Sequence, residues 1–91
     1  MTTVGDFTAL ILITGTIKPD IESAILDTLA PFTINILDKQ SMRIRDRYFL
    51  AIYLSLDKAH AKAIEADLQS KCKNLDIDLA IDYQTRNTNN L

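Results

Sequence analysis

The sequence predicts an α+β sandwich, one antiparallel sheet of four strands with two helices on one of its faces. Three observations carry this. Apolar segments follow one another in the order strand, helix, strand, strand, helix, strand. Two of the strands, over residues 7–13 and 47–56, are apolar on both alternating sides, as strands in the middle of a sheet are. The last strand, over 76–84, alternates apolar and polar residues, as a half-wetted strand at an edge does.

The first strand sets Phe7, Ala9, Ile11 and Ile13 on one side and Leu10 and Leu12 on the other. Residues 14–21, Thr-Gly-Thr-Ile-Lys-Pro-Asp-Ile, lead from it to a helix. Gly15 is expected to turn the chain through angles closed to other residues. Pro19 fits a first helical turn, where its missing N–H is not needed. The helix is predicted over 19–30, with Ile21, Ala24, Ile25, Thr28 and Leu29 on its apolar stripe and Pro31 as its stop. A second strand follows over 33–44. Ile34 and Ile36 share one side, and Met42 and Ile44 another stretch, with a break at 38–40 that predicts a bulge or rim position. Arg45-Asp46 reads as a hairpin tip. In the third strand Tyr48, Leu50, Ile52 and Leu54 oppose Phe49, Ala51 and Tyr53. Asp57 is a helix cap, and Ala61, Ile64, Leu68, Cys72 and Leu75 form the second buried stripe. Ile77, Leu79, Ile81 and Tyr83 then alternate with Asp78, Asp82 and Gln84.

Right-handed crossovers turn this βαββαβ order into a ferredoxin-like sandwich with the first and third strands central. Two helices cover one face. The other would expose apolar side chains from both central strands, which predicts a partner, most simply a second copy. The domain is expected over residues 1–85, and residues 86–91 read as a polar tail or linker stub.

Composition narrows the function. The 91 residues suffice for one domain. A net charge of -2 argues against a general nucleic-acid binder and against attraction to acidic membranes. Cys72 is the sole cysteine, so no internal disulfide can form, which fits a reducing compartment. The apolar run at 7–13 is far short of the ~20 residues that span a bilayer. No basic segment precedes it as in a secretory signal, and a cytoplasmic location is expected.

Several residues are candidates for chemistry. A strand followed by a glycine turn and a helix start leaves backbone N–H groups free for an anion, and Lys18 stands beside them. An ordinary strand-to-helix connection is the plain alternative. Asp76, Asp78 and Asp82 have no His or Cys partner and read as a solvated edge, not a metal site, and no cofactor is expected. Asp76-Ile77-Asp78 lacks the preceding apolar strand and the following residue of a haloacid-dehalogenase-type nucleophile motif. Arg43, Arg45 and Arg47 would share one side of an extended chain and read as solubilising charge at a tip. His60, near a helix start, has no nucleophile pattern around it. Cys72 reads as core.

The residues resemble the ACT domains, small regulatory modules that bind amino acids. The likeness rests on Thr14-Gly15 after the first strand, Pro19 and Ile21 at the helix start, and Asn35-Ile36-Leu37-Asp38 with Gln40 on the second strand. It runs over about residues 7–83. Residues 34–54, with Ile44-Arg45-Asp46-Arg47, are most similar to the first ACT domain of bacterial phosphoserine phosphatases. Stand-alone ACT proteins resembling glycine-cleavage regulators also carry such a second strand. The resemblance implies a non-catalytic domain with a small amino acid, serine or glycine, at the interface with a second ACT domain or second copy. Its site would use Gly15, Thr16, Ile17, Lys18, Asp20 and Ile21 of the loop, completed by Asn35 and Asp38. Backbone N–H groups suit the carboxylate, and a side-chain carboxylate or amide suits the amine. Two positions depart: the family often has an acid where Ile17 stands and a glycine where Asp20 stands. Asp20 is favoured at a helix start by the dipole but repels a ligand carboxylate.

Two other functions share this topology. An RNA-recognition motif wants glycine and exposed aromatics on its third strand. Here the strand supplies Tyr48, Phe49 and Tyr53 without glycine, on an acidic chain. An acylphosphatase would want an arginine in the first loop to hold phosphate, and the loop has only Lys18.

Overall fold

A computed structural model describes residues 7–85. The elements are β1 (Phe7–Thr16), α1 (Ile21–Leu29), β2 (Ile34–Ile44), β3 (Arg47–Leu56), a single 3₁₀ turn (Lys58–His60), α2 (Ala61–Leu75) and β4 (Asp78–Thr85). The strands form one antiparallel sheet in the order β2-β3-β1-β4. The two strands that are apolar on both sides are the central pair. The first six residues of the expected domain and the expected tail at 86–91 lie outside the described residues.

The core lies between the sheet and the helices. Ala9, Ile11 and Ile13 of β1 and Leu50, Ile52, Leu54 and Leu56 of β3 meet Ile21, Ile25 and Leu29 of α1 and Ile64, Leu68 and Cys72 of α2. Each large aliphatic side chain buried there contributes roughly 1.5–3 kcal/mol. The Cys72 thiol is buried in this layer, and desolvation raises its pKa. Half-buried Leu79, Ile81 and Tyr83 of β4 pack against the same core.

Local chemistry sets the element ends. Asp57 accepts the Ala59 N–H at its Oδ1 (3.0 Å), so it caps the 3₁₀ turn that leads into α2. Asp76 ends α2 in the left-handed conformation (φ 57°), and its N–H returns to the last turn. It therefore stands before β4 and does not share a strand side with Asp78 and Asp82. His60 lies against the ring of Phe32, with centroids 6.2 Å apart. At the hairpin tip Arg45 also takes a left-handed φ of 57°. The turn parts the three arginines. Arg43 pairs with Tyr48 on the helix-side register and Arg47 with Ile44 on the open-face register, so they do not share one side.

The break in β2 is a bulge. Ile36 pairs with Leu54 and Asp38 with the adjacent Tyr53, leaving Leu37 unpaired. One extra residue reverses every later side chain. Ile34 and Ile36 lie on the helix side, whereas Asp38, Gln40, Met42 and Ile44 lie on the open face, beside Tyr53, Ala51 and Phe49.

Gly15 departs from expectation. It is buried inside β1, and its φ is not positive. Its small size is what the fold uses: a Cβ there would stand 2.6 Å from Ile77 Cγ2 and 3.1 Å from Ile77 Cβ, in the connection between α2 and β4. Gly15→Ala is therefore expected to destabilise the fold by about 1–3 kcal/mol, as overpacking does. A denaturant titration of Gly15→Ala and Gly15→Ala/Ile77→Ala checks it, with partial recovery in the double variant.

Tyr83 ties β4 to α2. Its hydroxyl donates to Glu65 Oε1 (3.0 Å), with the Ala61 carbonyl 3.3 Å away. Burial, the hydrogen bond to Glu65 and the charge of Glu65 push its pKa from 10.0 up to about 12. A folded-state pKa raised above the unfolded one means that the native state holds its proton longer. This contribution is complete below pH 10 and is lost as pH rises towards 12. Denaturant midpoints measured across that window should fall in the wild type and fall less steeply in Tyr83→Phe.

Candidate functional site

The site predicted from sequence surrounds the connection from β1 to α1. Thr16 is the exposed last residue of β1, and Ile17 and Lys18 are half-buried. The Ile17 N–H donates to the Asp46 carbonyl of the β2–β3 hairpin (2.8 Å), so that donor is occupied and the loop is pinned to the hairpin tip. Pro19 lies in the turn before the helix, which begins two residues later than expected, at Ile21. Ile21 is buried in the core, so only its backbone faces the loop.

Asp20 holds the N-cap position with φ 65° and ψ 23°, and its side chain makes no capping bond. This is the left-handed region, where glycine is unstrained and Asp is among the few other residues admitted. The glycine that the resemblance leads one to expect at this position would meet that backbone demand. Asp20 meets the same demand at some cost and adds a carboxylate to the mouth of the loop. The first intrahelical bond runs from the Ala24 N–H to the Asp20 carbonyl (2.9 Å). The N–H groups of Ile21, Glu22 and Ser23 precede it and point out of the helix end.

A polar cluster missed by sequence reasoning stands beside this end. The Lys39 ammonium donates to Glu22 Oε2, and the Tyr48 hydroxyl donates to Glu22 Oε1 (3.4 Å). The hydrogen bond from Lys39 holds the Glu22 carboxyl below the usual carboxylate range. Burial, then the nearby Glu22 charge, raises the Tyr48 phenol. The cluster joins the first turn of α1 to the edge strand. Its signal in the sequence was the break at 38–40, because the bulge at Leu37 is what returns Lys39 to the helix-side register, opposite Ile52.

Asn35 and Asp38 are exposed on β2 but distant from the loop of the same chain. Asn35 shares a cross-strand row with Ser55 and Thr8, and Asp38 with Tyr53 and Leu10. At ~3.4 Å per residue along β1, these rows lie about 27 and 20 Å from Thr16. One chain therefore does not unite them with the loop. The Asp38 carboxylate accepts the Lys39 N–H (2.8 Å) and the Gln40 side-chain amide (3.4 Å). What one chain assembles is a helix end with outward N–H groups beside Asp20, whose side chain makes no capping bond, whereas both oxygens of Glu22 are taken by Lys39 and Tyr48. N–H groups match a carboxylate and the Asp20 carboxylate matches an ammonium, so the pair suits a zwitterion better than a bare anion. Among the described residues, no group of three or more metal-ligating side chains comes together. No described helix is long and apolar enough to cross a membrane.

The left-handed angle at Asp20 has a measurable consequence. Asp20→Gly should preserve or raise the melting temperature, whereas Asp20→Val should lose about 1–2 kcal/mol, since a β-branched residue is poorly tolerated there. Thermal unfolding of the two variants checks this.

Comparison with known proteins places the chain. No curated protein matches the sequence. Among solved structures, a protein assigned as a glycine cleavage system transcriptional repressor superposes with a TM-score of 0.81 at 16% identity, covering 90% of this chain and 48% of that one. An ACT domain protein from Streptococcus pneumoniae gives 0.74 at 17% identity, over 85% of this chain and 89% of that one. The regulatory subunit of aspartate kinase from Thermus thermophilus gives 0.67 at 16% identity, over 86% and 51%. The chain thus spans about half the length of the first and third of these. At such identities the likenesses speak to the fold. The family model for the ACT domain matches residues 8–82, and the chain belongs to the ACT domain family.

Proposed function

We propose that this chain is a non-catalytic regulatory module that senses a small amino acid and works as a pair, either as a homodimer or beside a second ACT domain. The observation that carries the reading is the open helix end at Ile21–Ser23 beside the Asp20 carboxylate, which makes no capping bond. That arrangement offers partners for both ends of a zwitterion. Asn35 and Asp38, remote within one chain, reach such a site only from a second unit.

The likeness of residues 34–54 to phosphoserine phosphatases favours serine as the ligand and a regulatory place beside a catalytic domain of serine biosynthesis. The superposition on a glycine cleavage repressor favours glycine and a stand-alone regulator as the second reading.

A thermal-shift series with the common amino acids tests this, serine and glycine first. A ligand at a hundredfold excess over its Kd stabilises the folded state by about 2.7 kcal/mol, which raises the melting temperature of a domain this size by roughly 10 °C or more. No shift with any amino acid removes the sensing role and leaves pairing alone. Salt-sensitive RNA binding in place of a shift would point to the RNA-binding alternative.

A further inference from the structure

We propose that the open face of the sheet takes a basic amphipathic helix from a partner protein, laid along β1 with its N-terminal end between Asp38 and Asp82 and its C-terminal end at Arg47. This goes beyond the sensing role, and it does not require an amino acid to bind.

The face has an apolar centre. Leu10 and Leu12 of β1 lie beside Tyr53 and Ala51 of β3, and Phe49, Met42 and Ile44 carry the strip towards the hairpin. Leu12, Met42 and Ile44 are 42%, 53% and 52% exposed. Two hollows lie along the strip. One of about 340 Å³ opens between Leu12, Met42, Phe49 and Ala51, and no charged side chain lines it. The other, of about 120 Å³, opens between Leu10, Tyr53, Ala51 and residues 38–40 of β2. Rows on one face of a sheet repeat every ~6.8 Å, close to the ~6 Å between side chains at i and i+4 of a helix. Successive side chains of one helix stripe therefore reach both hollows. The larger suits Leu or Phe. The smaller suits Lys or Arg, whose stem covers Leu10 and Tyr53 while its head meets the Asp38 carboxylate.

Charge sets the flanks and the direction. Among the described residues, Asp38, Asp78 and Asp82 are the acids whose register puts them on this face, and Arg47 is the one cation. Asp38 and Asp82 stand in one row on the two edge strands, with Tyr53 and Leu10 between them. Three strand spacings put them ~14 Å apart, and a helix with its side chains is about 10–12 Å across. One helix thus fits between them with a cation on each flank, and Asp78 continues the β4 flank. From Tyr53 to Arg47 the strip runs about 20 Å, the length of a helix of about 14 residues. The positive N-terminal end of its dipole belongs beside the paired acids and the negative C-terminal end beside Arg47.

The same charges disfavour other occupants. Two copies stacked face to face set Asp38 against Asp82 about an axis along the strands, and Asp82 against Asp78 about an axis across them. Anionic lipid or RNA would meet three carboxylates. Asp38 cannot serve this face and a second unit's loop at once, so a bound helix and an amino-acid site completed by Asp38 are alternatives.

Fluorescence anisotropy of labelled synthetic peptides of about 18 residues, added to the 91-residue chain, tests the proposal. One peptide carries a Leu stripe flanked by Lys, the other the same stripe flanked by Glu. The Lys peptide should bind at least about tenfold more tightly than the Glu peptide. Leu12→Lys and Met42→Lys should each weaken the Lys peptide by about tenfold or more, with unchanged far-UV circular dichroism. Asp38→Lys/Asp82→Lys should reverse the preference. Asp27→Lys/Asp67→Lys, at exposed positions on the helix side, changes the net charge equally and should leave the preference in place. A nitroxide on the N-terminus of the Lys peptide should broaden the amide signals of Leu10 and Tyr53, and one on its C-terminus that of Arg47. Equal binding of the two peptides, no binding of the Lys peptide at about 1 mM, equal losses in the two double variants, or the reverse pattern of broadening overturns the proposal. So does a chain that dimerises through this face, shown by a dimer that Leu12→Lys dissociates. Because no amino acid is present, a failed sensing role leaves this result standing.

Discussion

Two helices can cover one face of a four-stranded sheet and no more. β1 and β3 sit at the centre, and each is apolar on both sides. Their helix-side residues, from Ile11 and Ile13 to Leu50, Ile52 and Leu54, disappear completely into the core. The opposite sides of the same strands carry Leu10, Leu12, Phe49, Ala51 and Tyr53 onto an uncovered surface. Burying one set obliges the chain to present the other, since alternate side chains of a strand must point to opposite faces. The polarity of the molecule, with helix ends and loop on one side and a bare apolar sheet on the other, follows from that alternation.

The bulge at Leu37 reshapes this plan. In unbroken register Met42 and Ile44 would follow Ile36 onto the helix side. One unpaired residue moves them to the open face and returns Lys39 to the helix side, within reach of Glu22. A single local irregularity thus enlarges the apolar face and ties the edge strand to the first turn of α1. The energy of that exposed ion pair is small. Its consequence is positional: it fixes which groups surround the helix end.

The connection from β1 to α1 shows how two kinds of backbone demand are divided. The close approach falls at Gly15, where Ile77 leaves no room for a Cβ. The left-handed angle falls five residues on, at Asp20. Sequence reasoning assigned the turning role to the glycine, because glycine is the residue that turns most freely. The chain instead uses glycine for space and lets an aspartate carry the strained angle, which also leaves a carboxylate where a ligand would enter.

The order of elements, the central placement of β1 and β3, the helix stripes and the bare face were all legible in the sequence. They depend on alternation, helical periodicity and chain-connection rules that act locally. The break in β2 was legible too, though not its outcome. What only the tertiary structure decided is which side of the sheet each residue after Leu37 occupies, that Glu22, Lys39 and Tyr48 meet, and that Asn35 and Asp38 stand far from the loop of their own chain. Those facts depend on register between strands distant in sequence. A one-residue shift in that register reverses a whole strand while leaving its composition unchanged.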